Sequence, residues 1–282
     1  MCGSKLPDCE LSPGSLVLKK YEIINNISTT SFSRVYLAIE IKKPIYVATK
    51  ELKLEPSATP KQNAADITQF KLEISFIKRI NSIYVVKLLD SGVENGKCYM
   101  VTEFILGPTL KALKEIKGSL DEITVIRFAK DIFLGVKDMH AAGILSRDIK
   151  PLNLILNSHL IHIDLGIGKK IGQHTNRSIK NCFTSFFAAP EQRTGIGSFE
   201  TSDIYSSCAT MLWLMAPPNL NEIQLDNILH TMQGPKIEPG EIQNLCPKIS
   251  RKFAGFIAKG MHIDHRRRWD SAKTAYEALC GI

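Results

Sequence analysis

The stretch "GILSRDIKPLNLILNSHLIHIDLG", residues 143–166, decides how the rest of the chain is read. Leu154-Ile155-Leu156 and Leu160-Ile161-His162-Ile163 form two short apolar runs, and Asn157-Ser158-His159 between them supplies a turn. A turn of two or three residues at that point predicts a hairpin, with Asn153 within about one residue of the position opposite Asp164. Asp148 lies upstream, in a stretch with no regular period. Two oxygen-bearing side chains facing each other suit Mg²⁺, which takes hard oxygen ligands. A separate carboxylate is then available for a proton. A solvated hairpin with polar ends accounts for the same residues, and the stretch by itself leaves both readings open.

"SRDIKPLN" resembles the catalytic loop of the protein-kinase family, H-R-D-x-K-x-x-N, and "DLG" resembles its D-F-G, in the right order and close together. The resemblance extends over nearly the whole chain. "YVATK" (46–50) resembles the V-A-I-K strand and puts Lys50 at the family's ATP lysine. "DITQFKLEISFIKRI" (66–80) has Ile67, Phe70, Ile74 and Ile77 at helical spacing, with Glu73 at the edge of that stripe. The resemblance implies that Glu73 pairs with Lys50; an exposed helix glutamate is the ordinary alternative. "CYMVTEFILGPTL" (98–110) is similar to the strand and hinge that hold adenine, with Thr102 as gatekeeper and Glu103 to Ile105 offering backbone groups. Val35, Ala48 and Ile155 would enclose the ring, although all three also read as ordinary core. "TSFFAAPEQ" (184–192), "SDIYSSCATMLWLM" and "DHRRRWDSA" follow the family order. They imply that Asp203 holds the catalytic-loop backbone and that Arg268 pairs with Glu191. The wording is most similar to bacterial eukaryotic-like Ser/Thr kinases.

The fold class implied is α+β: a bilobal protein-kinase-like fold, with a small β-rich N-lobe bearing one long helix and a larger α-helical C-lobe. The chemistry implied is transfer of the ATP γ-phosphate to Ser or Thr hydroxyls of proteins. Lys50, fixed by Glu73, would hold the α- and β-phosphates. Asn153 and Asp164 would hold Mg²⁺, Asp148 would act as base, and Lys150 would offset charge on the transferred group. Lys150, two residues after Asp148, and Thr184 follow the Ser/Thr pattern. The resemblance implies that Arg147 could receive a phosphate from the activation segment, with Thr175 and Ser178 as candidates; an unmodified polar loop is the alternative.

Two positions depart from the family pattern. "INNISTTSFSRVYLA" (24–38) reads as two strands and a turn, with Ile27 leading into the phosphate-covering loop. The family's three loop glycines are replaced by Ser28, Thr30 and Ser33. Glycine permits positive φ, so each replacement costs about 1 kcal/mol where that conformation is needed. The second departure is Ser146 in place of the H-R-D histidine. It leaves a small residue at the end of an apolar column otherwise made of Leu88, Ile77 and Leu165. Both favour a rival reading, a pseudokinase that binds nucleotide or acts as a scaffold. A small-molecule phosphotransferase is a further rival, which the "TSFFAAPEQ" segment disfavours. The six charged or amide groups Lys50, Glu73, Asp148, Lys150, Asn153 and Asp164 favour the enzyme.

The chain has 282 residues, 44% of them hydrophobic, with 36 Lys and Arg against 28 Asp and Glu, a formal net charge of +8. The positive charges are scattered, with no basic stripe interleaved with aromatics, so nucleic acid is not implied as a partner. Its seven cysteines form no four-ligand zinc pattern. The start has no apolar signal core, and the longest apolar run, Ala209–Ala216, falls far short of the ~20 residues of a membrane span. The expectation is therefore reduced thiols and a cytoplasmic protein with no membrane partner. ATP and a protein substrate are the partners implied, and the oligomeric state is left open. The shift from strand-like to helical patterns predicts an N-terminal tail over 1–18, a β-rich N-lobe over 19–103, with a polar loop at 55–66, and an α-rich C-lobe over 104–282, at whose start the resemblance implies the hinge.

Overall fold

In a computed structural model, residues 10–55, 57–165, 169–170, 186–231 and 237–282 are described, with backbone alone at 169–170 and 229–231. The chain divides into two compact units. One runs to Arg79 and includes Val86–Phe104; the other comprises Ile80–Val85 and Ile105–Ile282. The sequence expectation places the boundary at 103/104, and the second unit resumes at Ile105. The short Ile80–Val85 stretch goes with the second unit because Tyr84 and Val85 bond to the strand around His162.

The first unit is a six-stranded antiparallel sheet in the order β1-β2-β3-β4-β6-β5 with one helix. Its elements are β1 (Leu16–Val17), β2 (Tyr21–Thr29), β3 (Ser33–Glu40), β4 (Tyr46–Leu52), α1 (Pro60–Ile77), β5 (Leu88–Glu94) and β6 (Lys97–Glu103). Alternation along the strands sorts their side chains by face. Tyr36, Ala38, Val47, Tyr99 and Val101 go to one face, with Val17, Tyr21 and Ile23, and are buried there.

Two segments differ from the sequence expectation. The described part of the expected tail, residues 10–18, is structure: Leu16 and Val17 pair with Glu22 and Tyr21, and Val17 is 1% exposed. Leu11 donates its N–H to the Tyr36 hydroxyl at 3.2 Å and packs against the same core. The second correction concerns the loop expected at 55–66, of which 60–66 is helix. Thr59 and Gln62 form a capping box, and Pro60 opens the first turn, where its missing N–H costs nothing.

The second unit is helical. It contains α2 (Leu110–Lys117), α3 (Glu122–Ala141), β7 (Ile144–Leu145), β8 (Leu154–Leu156), β9 (Leu160–His162), β10 (Lys169–Lys170), α4 (Pro190–Arg193), α5 (Glu200–Met215), α6 (Glu222–Thr231), α7 (Pro239–Leu245), α8 (Arg251–Gly260) and α9 (Ala272–Cys280). Asp121 caps α3, which buries Val125, Phe128, Ile132, Phe133, Val136 and Met139 at helical spacing. Helix α5 is buried almost all round, as a central helix in a helical core must be. No described helix is long and apolar enough to cross a membrane.

His162 is buried between β9 and α3, where its Nε2 meets the Ile132 carbonyl at 3.3 Å. The ring fits because Gly135 has no side chain: a Cβ there would lie 2.6 Å from the ring's Cδ2. Burial pushes the imidazole down to about 4 from its usual 6.5, against a smaller opposing pull from the Ile132 bond and the Asp203 charge. The folded value is the lower one, so the unfolded chain binds more protons between about 4 and 6.5. Stability should therefore rise with pH across that window, by ~3 kcal/mol at most from this group. Urea unfolding midpoints measured from pH 4.5 to 7 should show a steeper rise for the wild type than for His162→Leu. Parallel curves would refute the assignment.

Candidate active site

The candidate groups fall into two sets, one in each unit. In the first unit, Val35 pairs with Lys50, Ala48 with Thr102, and Ser28 with Val35. Register partners project to the same side, so Ser28, Val35, Ala48, Lys50 and Thr102 share one face of the sheet, opposite the Tyr36–Val101 face. Lys50 Nζ lies 2.8 Å from Glu73 Oε1. Glu73 is 3% exposed and lies within the buried face of α1 with Phe70, Phe76 and Ile77. The exposed-glutamate alternative is thus excluded, and the carboxylate fixes the ammonium. Glu51, next along β4, points to the opposite face and pairs with Lys97 at 2.8 Å and Arg34 at 3.3 Å. Sequence inspection did not anticipate this second buried pair.

The turn between β2 and β3, expected to cover phosphates, is free of left-handed backbone. Positive φ among described non-glycine residues occurs only at Leu18, Lys19, Asn95 and Arg147. Ser28, Thr30 and Ser33 therefore carry none of the strain expected from replacing glycine. Ile27 lies in a bulge of β2 between Asn26 and Ser28 and is about half exposed. Of the backbone groups expected to meet adenine, the Glu103 N–H is already bonded to the Lys87 carbonyl at 3.1 Å. The Glu103 carboxylate accepts the Lys87 N–H in return, at 2.9 Å.

In the second unit, β8 and β9 form the expected hairpin. Leu154 pairs with His162, and the Ile163 N–H donates to the Asn153 carbonyl at 3.1 Å, so Asn153 is one residue from the position opposite Asp164. Asn153, at the end of the 3₁₀ turn Pro151–Asn153, donates its Nδ2 to the Asp148 carbonyl at 2.9 Å and to Asp148 Oδ2 at 2.8 Å. Lys150 Nζ reaches both Asp148 oxygens at 2.8 and 2.9 Å. Asp148, Lys150 and Asn153 thus form one hydrogen-bonded group. Burial raises the Asp148 carboxyl above its usual range, and nearby Asp164 adds to this, while Lys150 and Asn153 oppose it. With Asn153 Nδ2 tied to Asp148, its Oδ1 is the atom left to offer. That oxygen and the Asp164 carboxylate are both hard donors, and they fit Mg²⁺. Ile155 forms a bridge with Thr109, and Ile105 is buried in the same unit.

The loop carrying Asp148 is held from beneath. Asp203, fully buried on α5, accepts the Ser146 N–H at 2.9 Å, the Arg147 N–H at 2.8 Å and His140 Nε2 at 2.8 Å. These bonds secure Arg147 at φ 65°, a left-handed conformation that costs a non-glycine residue roughly 1–3 kcal/mol. The Arg147 side chain donates to Ser198 at 3.0 Å. Ser146 and Leu165 are both buried, and the Ser146 hydroxyl makes no hydrogen bond there, so replacing the histidine ring leaves an unpaired polar atom. Arg268 reaches Glu191 through two bonds of 2.8 Å. Thr175, Ser178 and Thr184 lie outside the described residues.

Residues 21–279 match the protein kinase domain, and the chain belongs to the protein kinase family. A probable serine/threonine-protein kinase of Bifidobacterium longum is 25% identical over 275 residues, covering 95% of this chain and 36% of that protein. CBL-interacting serine/threonine-protein kinase 12 of Arabidopsis thaliana is 30% identical over 273 residues, covering 94% of this chain and 53% of the relative. This chain thus spans about half or less of the length of these relatives. The kinase domain of PknI from Mycobacterium tuberculosis has the same fold, with a TM-score of 0.72 at 18% identity, over 97% of this chain and 100% of that domain.

Proposed function

We propose that this chain is a Ser/Thr protein kinase that transfers the ATP γ-phosphate to Ser or Thr hydroxyls of protein substrates. The observation that carries the reading is the Asp148 carboxylate, anchored by Lys150 and Asn153 on a loop pinned by Asp203. Phosphoryl transfer asks the protein mainly for placement and charge neutralisation. Asp148 would orient the acceptor hydroxyl and take its proton, and Lys150 would balance charge on the group in transit. Lys50, steadied by Glu73, would hold the α- and β-phosphates. Val35, Ala48, Thr102, Glu103, Ile105 and Ile155 would receive the adenine, and Ile27, Ser28, Thr30 and Ser33 would cover the phosphates. Asn153 and Asp164 would hold Mg²⁺, which when bound neutralises the phosphate oxygens.

The test uses labelled ATP, Mg²⁺ and a generic basic protein, with Asp164→Ala as control. Label on Ser or Thr that requires both Asp164 and Mg²⁺ is expected, with Mg²⁺-dependent ATP affinity by calorimetry that falls at least tenfold in the variant. Affinity without transfer would leave a nucleotide-binding module, and absence of any Mg²⁺-dependent affinity would refute the assignment.

A further inference from the structure

The turn between β2 and β3 is closed by its own side chain. Thr30 Oγ1 accepts the Phe32 N–H at 3.2 Å and the Ser33 N–H at 3.1 Å, and lies 3.2 Å from the Ser33 carbonyl, to which it donates. The Thr30 N–H bonds the same carbonyl at 2.9 Å. A hydroxyl has one proton and two lone pairs, so this oxygen is saturated within its own turn. Two backbone N–H groups converging on one oxygen make the kind of concavity that binds anions. The acceptor filling it is a threonine hydroxyl.

We infer that Thr30 is an internal stand-in for phosphate that sets the affinity of this chain for the triphosphate of ATP. This rests on the nucleotide reading above and deepens it. A phosphate oxygen can use the Phe32 and Ser33 amides only after the Thr30 hydroxyl has left them. Its charged bonds are about twice as strong as the neutral ones it replaces, so closure weakens binding without forbidding it. The effect is confined to phosphate: a ligand with the base and sugar alone does not compete with Thr30.

Thr30→Val keeps the β-branched shape that suits a strand end and removes the hydroxyl, whereas Thr30→Ser keeps the hydroxyl. Calorimetry with Mg·ATP should give about tenfold tighter binding for Thr30→Val than for the wild type. Adenosine affinity should not change, and Thr30→Ser should match the wild type with both ligands. In the ligand-free protein, the Phe32 and Ser33 amides should exchange with solvent faster in Thr30→Val. Equal or weaker ATP binding by Thr30→Val, or a Thr30→Ser variant that behaves like it, overturns the inference while leaving the nucleotide reading intact. If neither wild type nor variants bind Mg·ATP, the nucleotide reading fails and the proposed ligand with it. Unchanged amide exchange in Thr30→Val disproves the closure itself.

Discussion

Replacing Arg268 by methionine should destabilise the protein by about 3–5 kcal/mol, the range for removing one partner of a buried ion pair. Arg268 is 2% exposed, and each of its donor groups is used. Two bonds go to Glu191, and others to the His262, Thr201 and Ile263 carbonyls. Glu191 also accepts the Ser202 hydroxyl at 2.5 Å. Burial pushes the Glu191 carboxyl up, but the Arg268 bonds and charge, with Ser202, outweigh it and hold the group below its usual 4.5. In the wild type this contribution is complete above the unfolded value and fades as pH falls through the folded one. Once Arg268→Met removes the partner, burial, the largest influence on Glu191, is opposed only by the Ser202 and backbone bonds, and the folded value should rise above the unfolded one. The deficit should thus be largest at neutral pH and narrow towards pH 4. Urea midpoints at pH 7.5 and 4.5 test this. The double variant Arg268→Met/Glu191→Gln should recover part of the loss, since no unpaired charge remains buried. A single-variant loss below about 1 kcal/mol, or one independent of pH, would refute the account.

What the sequence could disclose follows from the range of each interaction. The β8–β9 hairpin was legible because its signal is local: two apolar runs and a three-residue turn set a register that brings Asn153 near the position opposite Asp164. The Lys50–Glu73 pair spans 23 residues, and only the resemblance pointed to it. Local periodicity put Glu73 only at the edge of the apolar stripe, a position that an exposed glutamate fits as well. The α1 start was misplaced although its signal was present. Thr59, Pro60 and Gln62 spell a capping box with proline in the first turn, yet Pro, Ser and Ala in the same stretch read as loop. Residues 10–18 read as tail because the local pairing with Tyr21 and Glu22 is only two residues long, and the other partners, Tyr36 and Glu94, lie far along the chain. The Thr30 closure was within reach, since Ser and Thr side chains commonly bond amides two and three residues ahead. A pattern that expects glycine at this position marks only what is lost there, not the hydroxyl that threonine adds.

Asp148→Asn should lower phosphotransfer by 10²–10⁴-fold, the usual contribution of a positioned general base, while Mg·ATP affinity stays within about threefold of the wild type. The substitution keeps the shape of the side chain and removes its charge. Lys150 Nζ then loses one acceptor, and Asn153 Nδ2 retains the backbone carbonyl of residue 148 at 2.9 Å. The Asp203 bonds to the loop involve only backbone N–H groups of Ser146 and Arg147, so the loop should keep its conformation. Thermal melting within a few degrees of wild type checks that condition. The contrast with Asp164→Ala carries the argument. If Asp164 is a metal ligand and Asp148 a base, the first variant loses nucleotide affinity and the second loses only the rate. Single-turnover transfer at saturating Mg·ATP separates the two, because binding then no longer limits the signal. A rate within tenfold of the wild type in Asp148→Asn would strip this carboxylate of its role. Equal loss of nucleotide affinity in both variants would show that Asp148 serves the metal rather than the proton.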